Sequence, residues 1–290
     1  MKKDNNYTLW EKIFLYIALI FFSIVALLPL YYLIITSFKS LEEASLMATM
    51  FPQSFELIEN VKFVITHEDY NVVRMFLNTV LVFALKTAGT CLTCSFAAYG
   101  FAKFKFPFKN GIFFIMLSTM MLPGELLGIP VYEFFVNTNL KSVFYIPLWL
   151  SCWFGTDVFM IFMFKQFFEG LPKDYIEAAR IDGCSEIKAF FKIVMPLNIP
   201  VYTTVTLLYF IGTYNDLYNP ALYITEQKNW LMANSISIFE NLYKSGSSSY
   251  IVPWNYVSVA CIIAMLPVIL LFSFMQKQFL ESVTGTGLKG

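Results

Sequence analysis

An all-α, polytopic membrane fold with six transmembrane helices is predicted by three observations. The composition is too apolar for a soluble domain, long charge-free stretches recur, and basic residues segregate to alternate loops. Of the 290 residues, 58% are hydrophobic and 14% are charged, against roughly 45–50% and about 25% in soluble domains. Lys+Arg and Asp+Glu number 20 each, so no basic excess points to nucleic acid. The five cysteines are odd in number and lie mostly in apolar stretches, unlike a secreted disulfide framework. Cys91 and Cys94 form a C-x-x-C, but the one histidine, His67, lies in another segment and no second ligand pair exists. No metal or redox site is therefore expected.

The spans are expected at about 13–36, 75–102, 111–135, 142–165, 193–216 and 254–277, each near the twenty or so apolar residues that a bilayer requires. Residues 13–38 are free of charge between Lys12 and Lys39. Lys2 and Lys3 before them give the look of a signal peptide, but the run is too long and lacks a small-residue cleavage pattern, so it is expected to stay as an anchor. The second span lies between Arg74 and Lys103, with Lys86 inside it, and its Ala84, Ala88, Gly89, Ala97, Ala98 and Gly100 suit close helix approach in lipid. The third begins at Gly111 and meets Pro123-Gly124-Glu125 and then Pro130; the fourth carries Asp157. The fifth is charge-free over 193–215, and the sixth sits in the charge-free run 245–276, starting near Trp254.

Cytoplasmic loops are enriched in Lys and Arg. With both termini inside, thirteen of the twenty basic residues fall in cytoplasmic segments, six fall outside, and Lys86 is within a span. Both ends are therefore expected in the cytoplasm. No repeat, low-complexity tract or linker divides the chain, so residues 1–290 read as one transmembrane domain.

The loop at about 166–192 differs from the others. Ten charged residues fall in the stretch from Lys165 to Lys192, both included. Pro172 suits the first turn of a helix running through Ile181, Gly183 its C-terminal cap, and Ser185 the start of a second helix. That second helix is expected to put Ile187, Phe190, Phe191 and Val194 on one face, with Pro196 leading into the fifth span.

Glu177-Ala178-Ala179, three residues, Gly183, nine residues, then Ile193-Val194-Met195-Pro196 resembles the EAA loop of permeases in ATP-binding-cassette importers, with Met195 where Leu is usual. Asn78-Thr79, the run Ala97-Ala98-Tyr99-Gly100-Phe101-Ala102-Lys103-Phe104, Pro130-Val131-Tyr132 and the end Gly285-Thr286-Gly287-Leu288-Lys289-Gly290 extend the resemblance to the carbohydrate-importer branch, in particular to the second permease of the maltose type. The resemblance implies that Glu177, Ala178, Ala179, Asp182 and Gly183 couple to an ATPase: the alanines as a low docking surface, Glu177 as an anionic contact, Gly183 as the reversal. The bland alternative is a solvated amphipathic hairpin.

Implied partners are a second related permease, a cytoplasmic ATPase dimer, an extracytoplasmic solute-binding protein and membrane lipid. The implied location is the bacterial inner membrane. No cofactor belongs to this chain; MgATP belongs to the partner ATPase, since no Gly-rich phosphate loop with Lys and Ser/Thr occurs here. The Gly-rich C-terminus either extends toward the ATPase or frays.

Charge inside a span is costly and tends to face a cavity or a partner. Glu125 reads either as a pore residue or as a dipole-favoured group at a helix restart after Pro123-Gly124. Asp157 reads as a pore or partner contact or as half of a local ion pair, and Lys86 as snorkelling or packed between helices. Tyr214 with Tyr218, and Asn215 with Asn219, recur at i,i+4 beside Asp216. On a continuous helix they would give aromatic faces and hydrogen-bonding groups suited to a sugar; the alternative is an aromatic belt at the interface. Two rivals to the importer reading follow. An ion-coupled secondary transporter would have only Glu125, Asp157 and Lys86 as coupling groups. A membrane-embedded enzyme lacks a metal cluster or a close Asp pair.

Overall fold

The computed structural model describes residues 8–285 other than 47–48, 68–70, 142, 173, 236 and 238–251, and leaves out the side chains of Leu46, Glu125 and residues 274–285. The Thr286–Gly290 end of the chain, with its expected Gly-rich contact, therefore lies outside the described residues. All regular structure among the described residues is helical.

In chain order the helices are α1 Leu9–Phe38, α2 Leu41–Leu46, α3 Leu57–Thr66, α4 Val72–Lys103, α5 Lys109–Ser118, α6 Gly124–Asn137, α7 Ile146–Trp149 and α8 Val158–Glu169. They continue with α9 Asp174–Ile181, α10 Glu186–Ala189, α11 Met195–Leu197, α12 Ile199–Tyr214, α13 Tyr218–Tyr223 and α14 Trp254–Gly285. Thr8 starts α1 with a capping box: its Oγ1 accepts from Glu11 N at 3.4 Å, and Glu11 Oε2 accepts from Thr8 N at 2.7 Å. Apolar residues ring α1 on every side, as in a helix whose solvent is lipid.

Among the described residues, four segments are long and apolar enough to cross a membrane: Leu9–Phe38, Val72–Lys103, Ile146–Glu169 and Trp254–Ser273. Two more consist of paired helices, bent by 91° between Lys109–Met121 and Leu126–Asn137 and by 77° between Glu186–Leu197 and Ile199–Tyr214. Counting each pair as one span gives six. Proline explains both bends. Pro123, extended at φ −60° and ψ 127°, stops the 3₁₀ turn Thr119–Met121 and caps α6. Pro196 and Pro200 flank Asn198, at φ −113° and ψ 23°, and neither can donate a backbone hydrogen bond to the preceding turn.

The fourth segment is also interrupted. A 3₁₀ stretch, Leu150–Phe154, follows α7, and Gly155 at φ +63° turns the chain before α8. Asp157, expected within a helix, is instead the N-cap of α8.

Two compact units are distinguishable: residues 1–71 with 236–266, and residues 72–235 with 267–290. In the first, Asn60 is 1% exposed and serves as a hub. Its Nδ2 donates to Ser37 O at 3.0 Å and Lys39 O at 2.9 Å, and its Oδ1 accepts from Asn255 Nδ2 at 2.9 Å. Lys39 is fully buried there, its Nζ donating to Thr49 O at 2.8 Å.

In the second unit a core joins α4, α8, α9, the turn Phe190–Val194 and α12 through Ala98, Tyr99, Phe164, Phe168, Ile176 and Phe190, among others. The small residues of α4 act as their spacing suggests. At Gly89 an added Cβ would lie 2.6 Å from Trp153 Cδ1, so only glycine admits that indole. Trp153 Nε1 then donates to Leu85 O at 3.1 Å, and Thr93 Oγ1 to Cys152 O at 3.0 Å. These bonds take up backbone carbonyls that water does not reach inside a bilayer.

Candidate functional site

Within the 166–192 segment, α9 and α10 form a helical hairpin. Helix α8 ends at Glu169, paired with Lys165 at 2.8 Å, and Lys103 Nζ donates to Leu171 O at 3.0 Å. Among the described residues the first hairpin helix, α9, runs over Asp174–Ile181. Its end is a Schellman motif: Cys184 N donates to Ala179 O at 2.9 Å and Gly183 N to Arg180 O at 3.0 Å. Gly183 has φ +75°, yet an added Cβ would meet nothing within 4 Å. Glycine is needed there for its backbone conformation, not for space.

Ser185 then caps α10, its Oγ accepting from Lys188 N at 3.4 Å. Arg180 Nε meets Glu186 Oε1 at 2.6 Å across the turn, which pushes the guanidinium pKa above its ordinary value. The other carboxylate oxygen, Oε2, accepts from Tyr99 Oη at 2.8 Å, tying the hairpin to α4.

Along α9, Ile176 and Ala179 are buried while Glu177 and Ala178 are exposed, as a 3.6-residue turn requires. Ala179, expected beside Ala178 on an outer surface, thus faces the protein's own core at 6% exposure. Asp182 and Gly183 are exposed, and so is Ile181 at 87%. The buried stripe of the second helix also departs from expectation. Phe190 and Val194 are fully buried, but Ile187 and Phe191 point outward at 67% and 43% exposure. A π-turn runs over Phe190–Val194, Met195 N reaching Phe190 O, and the extra residue in the turn keeps Val194 on the buried face with Phe190. Phe190 stacks on Phe96 with ring centroids 4.5 Å apart and anchors the hairpin.

A second cluster lies along α4, α6, α8, α12 and α13. Helices α4 and α12 run antiparallel: Ala98 shares a core with Val201, whereas Phe83 meets Phe210 at 5.4 Å. Lys86 lies near the midpoint of the 32-residue α4, at least ~20 Å from either end by helical rise. Its Nζ approaches Asp216 Oδ2 at 3.8 Å, and the Lys86 side chain is 17% exposed. Asp157 makes no ion pair with Lys165, which pairs with Glu169. Its Oδ1 accepts from Met160 N at 3.2 Å and its Oδ2 from Tyr209 Oη at 2.8 Å.

Helix α12 stops at Tyr214, so the i,i+4 repeat does not lie on one helix. Tyr214 is 6% exposed and stacked on Phe210, whereas Tyr218 is 71% exposed. Asn215 is exposed at the C-terminal cap. Asp216 takes over the chain reversal, accepting from Asn219 N at 3.1 Å and Asn219 Nδ2 at 3.0 Å. Local hydrogen bonding by Asp has outcompeted helix continuation here. Glu125 falls in the first turn of α6 with its side chain outside the described residues.

A cavity of about 300 Å³ is lined by Lys86, Asp216, Asn219, Tyr223, Gly124 and Gly128, with α7 residues behind them. An adjoining one of about 450 Å³ shares four of these residues and adds Tyr132 and Tyr218. Asp216, Tyr218 and Asn219 are thus brought together; Tyr214 and Asp157 are not among the lining residues. Lys86 was legible as a mid-span charge, but its partner lies 130 positions away. Opposite charges at matching depths on antiparallel spans are the signal that could have paired them.

Residues 91–284 match the family described as binding-protein-dependent transport system inner membrane component. The chain is 27% identical to the diacetylchitobiose uptake system permease protein NgcG of Streptomyces coelicolor, over 92% of this chain and 85% of that one. It is 26% identical to the trehalose/maltose transport system permease protein MalG of Thermococcus litoralis, over 97% and 98%. A chain in the crystal structure of a bacterial ABC transporter involved in the import of the acidic polysaccharide alginate shares the fold. There the TM-score is 0.77 at 20% identity, covering 93% of this chain and 98% of that one.

Proposed function

Because the chain belongs to the family of binding-protein-dependent transport system inner membrane components, we propose that it is one permease subunit of an ATP-driven importer for a sugar or related polyol. It forms half of a translocation pathway, with a second related permease supplying the other half. A dimer of cytoplasmic ATPases hydrolyses MgATP, and an extracytoplasmic binding protein delivers substrate. The whole chain serves as one transmembrane permease domain with both termini in the cytoplasm. The carbohydrate assignment is supported by the diacetylchitobiose and trehalose/maltose permeases, whose similarity runs along more than nine-tenths of this chain. Family membership favours ATP-driven over ion-coupled transport.

The observation that carries the coupling role is the 166–192 hairpin. Glu177, Ala178, Asp182 and Gly183 are exposed together with apolar Ile181 and Ile187, and the hairpin is held from behind by Ala179, Phe190 and Tyr99. An exposed apolar patch rimmed by charge marks a protein contact. Rigid attachment on the other side lets a displacement of the hairpin reach α4. ATP-driven closure of the ATPases would move the docked hairpin and favour the outward-facing pathway, by differential binding rather than by catalysis on this subunit.

The test is reconstitution with the full partner set. Gly183→Val forces a β-branched residue into positive φ, costing of order 1–2 kcal/mol locally. Ala178→Asp adds a charge at the docking surface. Both variants are expected to insert normally and to lose substrate-stimulated ATP hydrolysis and uptake together. Wild-type behaviour of both in both assays would overturn the coupling role.

A further inference from the structure

Building on the importer-permease reading, we propose that the Lys86–Asp216 pair forms a charge filter in the pathway, so that this cavity accepts uncharged sugar or polyol units and rejects uronates. The pair lines a cavity of about 300 Å³, at the lower edge of the roughly 300–1,000 Å³ usual for small-molecule sites. The adjoining 450 Å³ space widens it.

The pair is loose. Nζ and Oδ2 are 3.8 Å apart, beyond direct hydrogen-bonding distance, with side chains 17% and 13% exposed. A hydroxyl oxygen about 2.8 Å from each atom fits beside them, accepting from the ammonium and donating to the carboxylate. A polyol satisfies both groups without adding charge. Asn219 Nδ2 already donates to Asp216, and its amide oxygen offers a further acceptor at the cavity wall.

The remaining wall suits a sugar ring. Gly124 and Gly128 lie one turn apart on α6, and an added Cβ at either would meet nothing within 4 Å, so their backbone forms open floor. Tyr132 and Tyr218 line the adjoining space with aromatic side chains. Charge decides between sugar classes. Lys86 is already compensated by Asp216, so a uronate would bring an unmatched negative charge next to a carboxylate that is only 13% exposed. Removing the Asp216 charge would leave Lys86 as a lone cation able to pair with that uronate.

The test uses the complete importer in lipid nanodiscs without binding protein. Saturation-transfer NMR measures diacetylchitobiose, maltotriose and arabinotriose against trigalacturonate, and binding-protein-stimulated ATP hydrolysis is recorded on the same preparation. Wild type is expected to bind at least one neutral saccharide and to bind trigalacturonate about tenfold more weakly or not at all. Asp216→Asn is expected to strengthen trigalacturonate binding about tenfold, and Asp216→Glu to keep the neutral preference.

Wild type that binds trigalacturonate as well as the neutral sugars, or binds no neutral sugar, overturns the filter even if no variant assembles. An unchanged ratio in Asp216→Asn overturns it as well. Stimulated hydrolysis alongside any of those results leaves the permease reading standing. A preparation whose hydrolysis does not respond to binding protein counts against the permease reading instead.

Discussion

Tyr99 donates its hydroxyl hydrogen to Glu186 at 2.8 Å, joining the end of a long apolar helix to a hairpin 87 positions further along the chain. The same carboxylate holds Arg180 at 2.6 Å, so one side chain braces the Gly183 turn and fastens it to α4. Tyr99→Phe removes only the fastening. A hydrogen bond to a charged acceptor contributes about 1.5–3 kcal/mol, less where water competes. The variant is expected to assemble, to lose ~1 kcal/mol of stability, and to lower substrate uptake per ATP hydrolysed. Unchanged stoichiometry of uptake to hydrolysis would show that the bond transmits nothing.

Gly89→Ala is expected to destabilise the chain, because the new Cβ would sit 2.6 Å from Trp153 Cδ1. The indole must move and give up its bond to Leu85 O, at a cost of about 1–3 kcal/mol. Gly100→Ala is the control: an added Cβ there meets nothing within 4 Å, and the gain in helix propensity is about 0.5–1 kcal/mol. Thermal unfolding of the purified assembly, followed by tryptophan fluorescence, is expected to move in opposite directions for the two variants.

The positive-inside topology is tested with single cysteines in a background whose five native cysteines are replaced by alanine. Asn60 is unsuitable as the outside reporter, being 1% exposed and bonded to Ser37 and Lys39. Ile58, at 79% exposure on the same helix, serves instead. An impermeant thiol reagent added to intact cells is expected to label Ile58→Cys and to spare Asn110→Cys. The reverse pattern would invert the orientation.

Acid is expected to loosen residues 49–54 of the first unit. Burial raises the Glu43 pKa, but hydrogen bonds from the Ser54 hydroxyl, the Gln53 and Ser54 amides and the Thr49 hydroxyl outweigh it and hold the carboxyl below its ordinary range. A depressed folded-state pKa stabilises above the unfolded value of about 4.3 and is lost as pH falls through the folded value. Amide exchange at Gln53 and Ser54, corrected for intrinsic rates, is expected to quicken between about pH 5 and about pH 3. In Glu43→Gln that pH dependence is expected to vanish.

Local patterns carried the four apolar spans that are not bent pairs, the sharp turn at Gly183 and the cap at Ser185. Each depends on a few neighbouring residues: enough consecutive apolar side chains to cross lipid, one position needing positive φ, one hydroxyl placed before a helix. Pro123 also marked where a helix could break and restart, since a missing N–H acts within a single turn, whereas the bend at Asn198 falls inside a span expected to be continuous.

What depended on partners far away along the chain was not written locally. Periodicity proposed Ile187 and Phe191 for the buried face, and both point outward while Ala189 is buried. The i,i+4 repeat of Tyr and Asn assumed a helix that Asp216 ends by bonding Asn219. Sequence alone determined that Lys86, Asp157 and Asp216 are ionisable groups in or beside apolar segments, and therefore need company. Only the tertiary structure decided the company: Lys86 with Asp216, and Asp157 with Tyr209. The antiparallel packing of α4 and α12 sets those depths, and packing depends on the shapes of both helices at once rather than on either stretch of sequence.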